Sequence, residues 1–245
     1  MSDKHAEAKM GTTGQTWFPT DGWCRTGGFP AASFADCTSV EEQFGYLPVD
    51  NATGDPSGWT LTPVEAGLGG DSTVKIDDAV GGWLLFTTDN AIADGVNLQM
   101  KGEIWKLVTG KLLWFETSLY LTAQQIFNAE LICGLCITQP ALFGGMSDGV
   151  YFRKADATTN LEFVTEKNTV ETSQVVLTAT DAVTRLGFHF DGAGRVYPVV
   201  NGTVGIPHLL TIPDDEELTI SYEFLTGAAA VNYLHVDWVR CIQLR

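Results

Sequence analysis

Residues 185–200 read RLGFHF-DGAG-RVYPVV and contain the clearest structural signal in the chain. Two runs of aliphatic and aromatic residues flank a four-residue segment that contains two glycines. Asp-Gly followed by a second glycine supplies the positive φ angles that a tight turn between antiparallel strands needs. The stretch therefore predicts a β-hairpin over residues 185–200.

The same pattern of strands and turns continues on both sides of this hairpin. Residues 111–121 (KLLWFETSLYL) are the longest strand candidate, and Trp114 within them is expected to anchor the core. Residues 129–138 form a second apolar strand candidate, whereas helix signals are limited to residues 122–127. Roughly a dozen short strands separated by turn residues predict an all-β chain, folded as a jelly-roll β-sandwich.

The first 55 residues differ from the rest of the chain. They are rich in glycine and small polar residues and show no helical or strand period. We therefore divide the chain into an extended, largely irregular N-terminal arm, residues 1–55, and a jelly-roll domain, residues 56–245. The aromatic side chains of the arm lack a core of their own, so we expect them to dock on a partner, a sister subunit or the domain itself. They are Trp17, Phe18, Trp23, Phe29, Phe34, Phe44 and Tyr46.

The charge of the chain argues against several classes of function. Its 245 residues contain 14 Lys+Arg and 30 Asp+Glu, a formal net charge of −16. Nucleic-acid binding needs a basic face, so we expect no nucleic-acid partner. The apolar runs are far shorter than the roughly 20 residues of a membrane helix, and the N-terminus lacks the apolar core of a signal peptide. We therefore expect synthesis in the cytoplasm and no membrane partner.

Reactive constellations are missing from the sequence. Cys133 and Cys136 form a C-x-x-C pair, but residues three apart on a strand point to opposite faces, which favours buried packing over metal or redox chemistry. The four histidines are isolated, and neither G-x-S-x-G nor a phosphate-binding glycine loop occurs. The sequence therefore predicts no catalytic residue, no metal site and no cofactor.

Jelly-roll glycosidases offer the one enzymatic comparison. Many of them carry two carboxylates on one strand in the pattern E-x-D-x-x-E, where they can flank a sugar. That pattern does not occur here. Glu162 and Glu166 share a face of one strand, but no third carboxylate lies between them. We therefore expect that the chain is not an enzyme.

An ordered series of short segments carries a family resemblance. The segments are DGVNLQ (94–99), KLLWFE (111–116), DGVYFRK (148–154), LEFVTEK (161–167), LGFHFDGAG (186–194), VVNG (199–202), PDDEEL (213–218), GAAA (227–230) and VDWVR (236–240). Together they cover about two thirds of the chain, from Trp83 to Arg245. In this order they resemble a family of head-associated structural proteins of tailed bacteriophages, which have a concanavalin-like, laminin-G-like jelly roll.

The resemblance implies a non-enzymatic virion protein, located on the capsid surface after synthesis in the host cytoplasm. Its expected role is that of a decoration or cement protein that binds the major capsid protein of the assembled phage head and stabilises it. A homo-oligomer is expected, with a trimer by analogy with other decoration proteins. Two alternatives stay open: a carbohydrate-binding jelly-roll module, and a fibre, tail or minor capsid component.

Overall fold

A computed structural model describes residues 37–44, 56–65, 72–77, 82–122 and 125–245. Within these residues there are fifteen strands and one single-turn helix. The elements are β1 (Cys37–Glu42), β2 (Trp59–Val64), β3 (Thr73–Asp77), β4 (Trp83–Thr87), β5 (Gly95–Met100), β6 (Leu113–Leu121), α1 (Gln125–Asn128), β7 (Ala129–Cys136), β8 (Gly149–Lys154), β9 (Asn160–Lys167), β10 (Val170–Thr178), β11 (Thr184–Phe190), β12 (Val196–Val200), β13 (Thr203–Val204), β14 (Thr219–Thr226) and β15 (Tyr233–Leu244). No helix among them is long and apolar enough to span a membrane.

The strands form two antiparallel sheets that pack face to face. The first sheet has the order β13-β12-β11-β6-β15-β4-β3, and β1 also pairs with β15. The second has the order β10-β9-β8-β7-β14-β5-β2. Central neighbours in each sheet are distant in sequence, as in a jelly roll: β6 pairs with β15 and β7 with β14. The prediction of an all-β, jelly-roll β-sandwich is confirmed.

The hairpin over residues 185–200 forms as predicted. β11 pairs with β12 in a register that places Phe188 opposite Pro198. Gly192 and Gly194 have φ angles of 70° and 84° in the turn between the strands. Only glycine adopts such angles without a steric cost, which explains the two glycines of the DGAG segment.

Phenylalanine rings join the two sheets in the core. Phe115 and Phe188, on neighbouring strands of the first sheet, stack with their ring centroids 5.1 Å apart. Phe163 of the second sheet lies 5.9 Å from Phe188 and 5.2 Å from Phe152. Trp114 is buried as expected, but it lies in a small cluster outside the main core. Alternation along β6 gives Phe115 the inward face, so Phe115 takes the place in the core predicted for Trp114.

Part of the predicted arm belongs to the sandwich. β1 pairs along its whole length with the C-terminal half of β15. Phe44, one of the arm aromatics expected to dock on a partner, a sister subunit or the domain itself, is only 2% exposed and packs against Trp59 of the domain core, with ring centroids 6.3 Å apart. Residues 37–44 therefore lie with the sandwich, whereas the prediction assigned them to the arm that ends at residue 55. A strand that pairs with a sheet edge needs no long hydrophobic run, so β1 has no strand signal in the sequence. The remaining arm aromatics lie outside the described residues: Trp17, Phe18, Trp23, Phe29, Phe34 and Tyr46.

Candidate functional site

The outer face of the second sheet carries a polar cleft. Residues 137–148, which connect β7 to β8, fold back over this face and form a second hydrophobic cluster there. Its buried members are Ile132, Cys136, Leu142, Met146, Tyr151 and Val164. The connection therefore becomes one wall of a cleft whose floor is the sheet.

Side chains of β5 and β14 hold this connection in place. Gln99 donates to the carbonyl of Ile137 (2.9 Å) and accepts from the backbone N–H of Gln139 (2.9 Å). Glu223 accepts from the backbone N–H of Phe143 (2.6 Å). The Glu223 side chain is fully buried, and burial raises the pKa of its carboxyl group. These bonds satisfy backbone groups that have no strand partner, which allows an irregular segment to be partly buried.

The cleft has a volume of about 310 Å³ and two unlike walls. The apolar wall comes mainly from the 137–148 connection, and the polar wall from β8, β9 and β10. The lining residues are Ile132, Leu142, Phe143, Gly144, Met146, Tyr151, Arg153, Glu166, Thr169 and Glu171.

A tight turn brings two carboxylates together in the polar wall. Asn168 and Thr169 both have positive φ angles, 52° and 65°, as in a two-residue hairpin turn of type I′. The turn joins β9 to β10 in a register that places Glu166 directly opposite Glu171. Directly opposed side chains of an antiparallel pair have their Cβ atoms about 5 Å apart. The carboxyl groups therefore line the same short stretch of the cleft.

The two carboxyl groups have different surroundings. Glu166 is only 8% exposed and accepts a hydrogen bond from the Tyr151 hydroxyl (2.8 Å). Burial is the main cause that raises the pKa of Glu166. Glu171 is more open and accepts from Nη1 of Arg153 (2.7 Å), whose Nη2 donates to Glu162 (2.9 Å). The arrangement places a carboxyl group whose pKa is raised by burial beside a carboxylate that is ion-paired with a guanidinium.

Sequence patterns predicted few residues of this cleft. Glu162 and Glu166 share a face of β9, as predicted, but the partner of Glu166 across the hairpin is Glu171, which lies outside that prediction. The signal was present: in EKNTVE a two-residue Asn-Thr turn places the flanking glutamates opposite each other. No sequence signal identified Phe143, because the path of the 137–148 connection depends on contacts with distant strands.

The cysteine pair behaves as the strand pattern predicted. Cys133 lies in the core between the sheets, whereas Cys136 lies in the outer cluster. Burial raises the pKa of both thiols. Their reactive thiolate forms are therefore disfavoured, in keeping with buried packing.

Comparisons with known proteins give structural matches only. No family model and no curated protein matches the sequence. A β-glucanase of Bacillus licheniformis is similar in structure, with a TM-score of 0.56 and 13% identity, over 82% of this chain and 96% of that one. An endo-1,3-β-glucanase of Streptomyces sioyaensis has a TM-score of 0.59 and 10% identity, over 88% and 99%. The carbohydrate recognition domain of Emp46p has a TM-score of 0.55 and 13% identity, over 82% and 94%.

These matches correct one prediction. We expected that the chain is not an enzyme; this is wrong as a conclusion, because solved structures that share its fold include two β-glucanases. The absence of E-x-D-x-x-E therefore does not exclude catalysis on this fold. At these identities the likeness concerns the fold alone. By its fold, the chain is a concanavalin-like jelly-roll β-sandwich.

Proposed function

We propose that the chain binds carbohydrate in the cleft between residues 137–148 and the outer face of β8, β9 and β10. The observation that carries the proposal is the contrast between the two walls. A sugar ring has apolar C–H faces, which suit an aromatic wall such as Phe143, and a rim of hydroxyl groups. Arg153, Glu166 and Glu171 supply charged donors and acceptors, which form stronger hydrogen bonds than neutral groups.

The size of the cleft is compatible with this proposal. Its volume of about 310 Å³ lies at the lower end of the range for small-ligand sites, about 300–1,000 Å³. A short oligosaccharide segment is therefore the expected ligand. The solved structures that share the fold include β-glucanases and a carbohydrate recognition domain, which supports carbohydrate as the class of ligand for this chain.

The test is calorimetric titration of the full chain with β-glucan oligosaccharides, preceded by a glycan array to choose the sugar. Phe143→Ala should weaken binding about tenfold, since it removes one aromatic contact from the cleft. Phe127→Ala is the matched control, because Phe127 is 52% exposed and does not line the cleft. Equal affinities for the two variants, or no bound sugar on the array, would refute the proposal.

A second candidate function is glycoside hydrolysis in the same cleft. It rests on the Glu166–Glu171 pair, because glycosidases use two carboxyl groups about 5–10 Å apart, one protonated and one ionised. The raised pKa of Glu166 suits a proton donor to the leaving oxygen. Glu171, held by Arg153, suits the carboxylate that acts as base or nucleophile.

Hydrolysis is tested by measuring reducing ends released from β-glucans by the full chain. Glu166→Gln and Glu171→Gln should each lower the rate at least a hundredfold and leave oligosaccharide binding within a few-fold. Glu162→Gln is the matched control, since Glu162 also binds Arg153 but does not line the cleft. Activity that survives in both cleft variants would exclude this pair as the catalytic groups.

The virion role suggested by the family resemblance stays a separate proposal. It rests on the ordered segments between Trp83 and Arg245, and it includes the major capsid protein as partner and a trimeric state. Sedimentation of the protein with undecorated phage heads tests the capsid partner, and light scattering tests the trimer. A protein that stays in the supernatant would contradict the decoration role without affecting the carbohydrate proposal.

A further inference from the structure

The outer face of the first sheet carries an aromatic pocket. It has a volume of about 300 Å³ and is lined by Asp77, Trp83, Tyr120, Val183 and His235. The His235 ring packs at its centre: the Trp83 ring lies 6.2 Å away, edge-on, and the Tyr120 ring 5.7 Å away. The pocket therefore lies on the opposite sheet from the carbohydrate cleft and shares no residue with it.

Strand register brings these side chains together. His235 of β15 stands opposite Tyr120 of β6, and Asp77 of β3 stands opposite Trp83 of β4. Alternation along each strand turns all four side chains to the outer face. Four adjacent strands contribute, so the pocket is built mainly into the sheet, and the segment before β11 adds Val183.

Two polar side chains of the pocket already have carboxylate partners. The Tyr120 hydroxyl donates to Asp181 (2.7 Å), and Nε2 of His235 lies 3.5 Å from a carboxylate oxygen of Asp77. The surface offered to a ligand is mainly aromatic, and Asp77 adds carboxylate oxygen. An anion would meet the Asp77 carboxylate, with Asp181 next to Tyr120, so an anion is a poor ligand here.

We propose that this pocket binds an organic cation with a quaternary or tertiary ammonium group. The faces of Trp and Tyr rings attract such cations, and the attraction increases when the cation loses water in an apolar pocket. Asp77 and Asp181 supply the opposite charge, and the net charge of −16 attracts cations from solution.

The charges around the pocket are consistent with a cationic ligand. Burial lowers the pKa of His235, so the ring is neutral near pH 7 and does not repel a cation. Lys75 lies on β3 two residues from Asp77, but it does not line the pocket. Asp77 is therefore the charged side chain among the residues that line the pocket.

The experiment titrates the full chain with choline and follows tryptophan fluorescence and heat. The reference ligand is the uncharged carbon isostere of choline, in which a tert-butyl group replaces the trimethylammonium group. Choline should bind saturably and at least tenfold more tightly than the isostere. Trp83→Leu should weaken choline binding about three- to thirtyfold. Asp77→Asn should weaken it and reduce its dependence on salt.

Two variants separate a local effect from a folding defect. Tyr120→Phe keeps the ring and should retain most of the affinity. Tyr233→Leu is the matched control: Tyr233 lies on β15 two residues from His235, is 39% exposed and does not line the pocket. Equal affinity for choline and its isostere, no saturable binding, or equal losses in Trp83→Leu and Tyr233→Leu would each overturn the proposal.

Discussion

Gly134 allows β8 to carry Tyr151 into the cleft, and Gly134→Ala should therefore damage both the sheet and the site. Gly134 of β7 stands directly opposite Tyr151. A Cβ atom at position 134 would lie 2.6 Å from the Tyr151 Cα and 2.8 Å from its Cβ, and it would also collide with the carbonyl oxygen of Val150. Carbon atoms in contact are normally about 3.5–4.0 Å apart. To reach a normal contact distance, β7 and β8 would have to move apart by about 1 Å.

The size of the effect follows from which atoms collide. Two of the three lie in the backbone and the third is the Cβ of Tyr151, so no change of rotamer relieves the contact. Inserting a methylene into a packed region costs typically 1–3 kcal/mol, and here we expect at least about 3 kcal/mol. The shift of β8 should also break the hydrogen bond from Tyr151 to Glu166, so sugar binding should fall with stability.

Urea denaturation followed by circular dichroism measures this loss. The control is Gly202→Ala: Gly202 has φ of 81°, and a Cβ there would meet no atom within 4 Å. That variant has only backbone strain to accommodate, about 1 kcal/mol, and should bind sugar normally. A loss below about 1 kcal/mol in Gly134→Ala would show that β7 and β8 separate easily, and the close-contact argument would then be wrong.

Three further predictions concern the core and the effect of pH on stability. Phe44→Ala should lower the free energy of unfolding by about 3–5 kcal/mol in urea denaturation, because Phe44 belongs to the core. A loss under about 1 kcal/mol would show that Phe44 does not contribute to the core. Phe188→Ala should cost more than Trp114→Ala in the same assay, since only Phe188 joins the two sheets. The difference in unfolding free energy between the wild-type chain and Glu223→Gln should shift in favour of the wild type as pH falls from 7 toward 5. Burial raises the pKa of Glu223 above the ordinary 4.5, so the folded state binds this proton more tightly, and the stabilisation is lost as pH rises through the raised pKa. Burial lowers the pKa of His189 to about 4, which acts in the opposite direction in both proteins and cancels from the difference. Urea midpoints of both proteins across this pH range measure it.

Local signals in the sequence were sufficient for the architecture. Alternating apolar residues and turn-forming pairs such as Asp191-Gly192 act over a few neighbours, so they predicted the β-sandwich and the 185–200 hairpin. The alternation of side chains along a strand also predicted that Cys133 and Cys136 lie on opposite faces of β7. The Glu166–Glu171 pair also has a local origin, since the two-residue turn between β9 and β10 places these residues opposite each other.

Tertiary structure alone decided which distant segments meet. β1 pairs with β15 across some two hundred residues, so no window of sequence predicts that Phe44 enters the core. The path of residues 137–148 depends on Gln99 and Glu223, which come from strands far away in the chain. The aromatic pocket likewise needs four strands in one register. Contacts of this kind depend on sheet order, and sheet order is a property of the whole packed chain that short-range patterns do not encode.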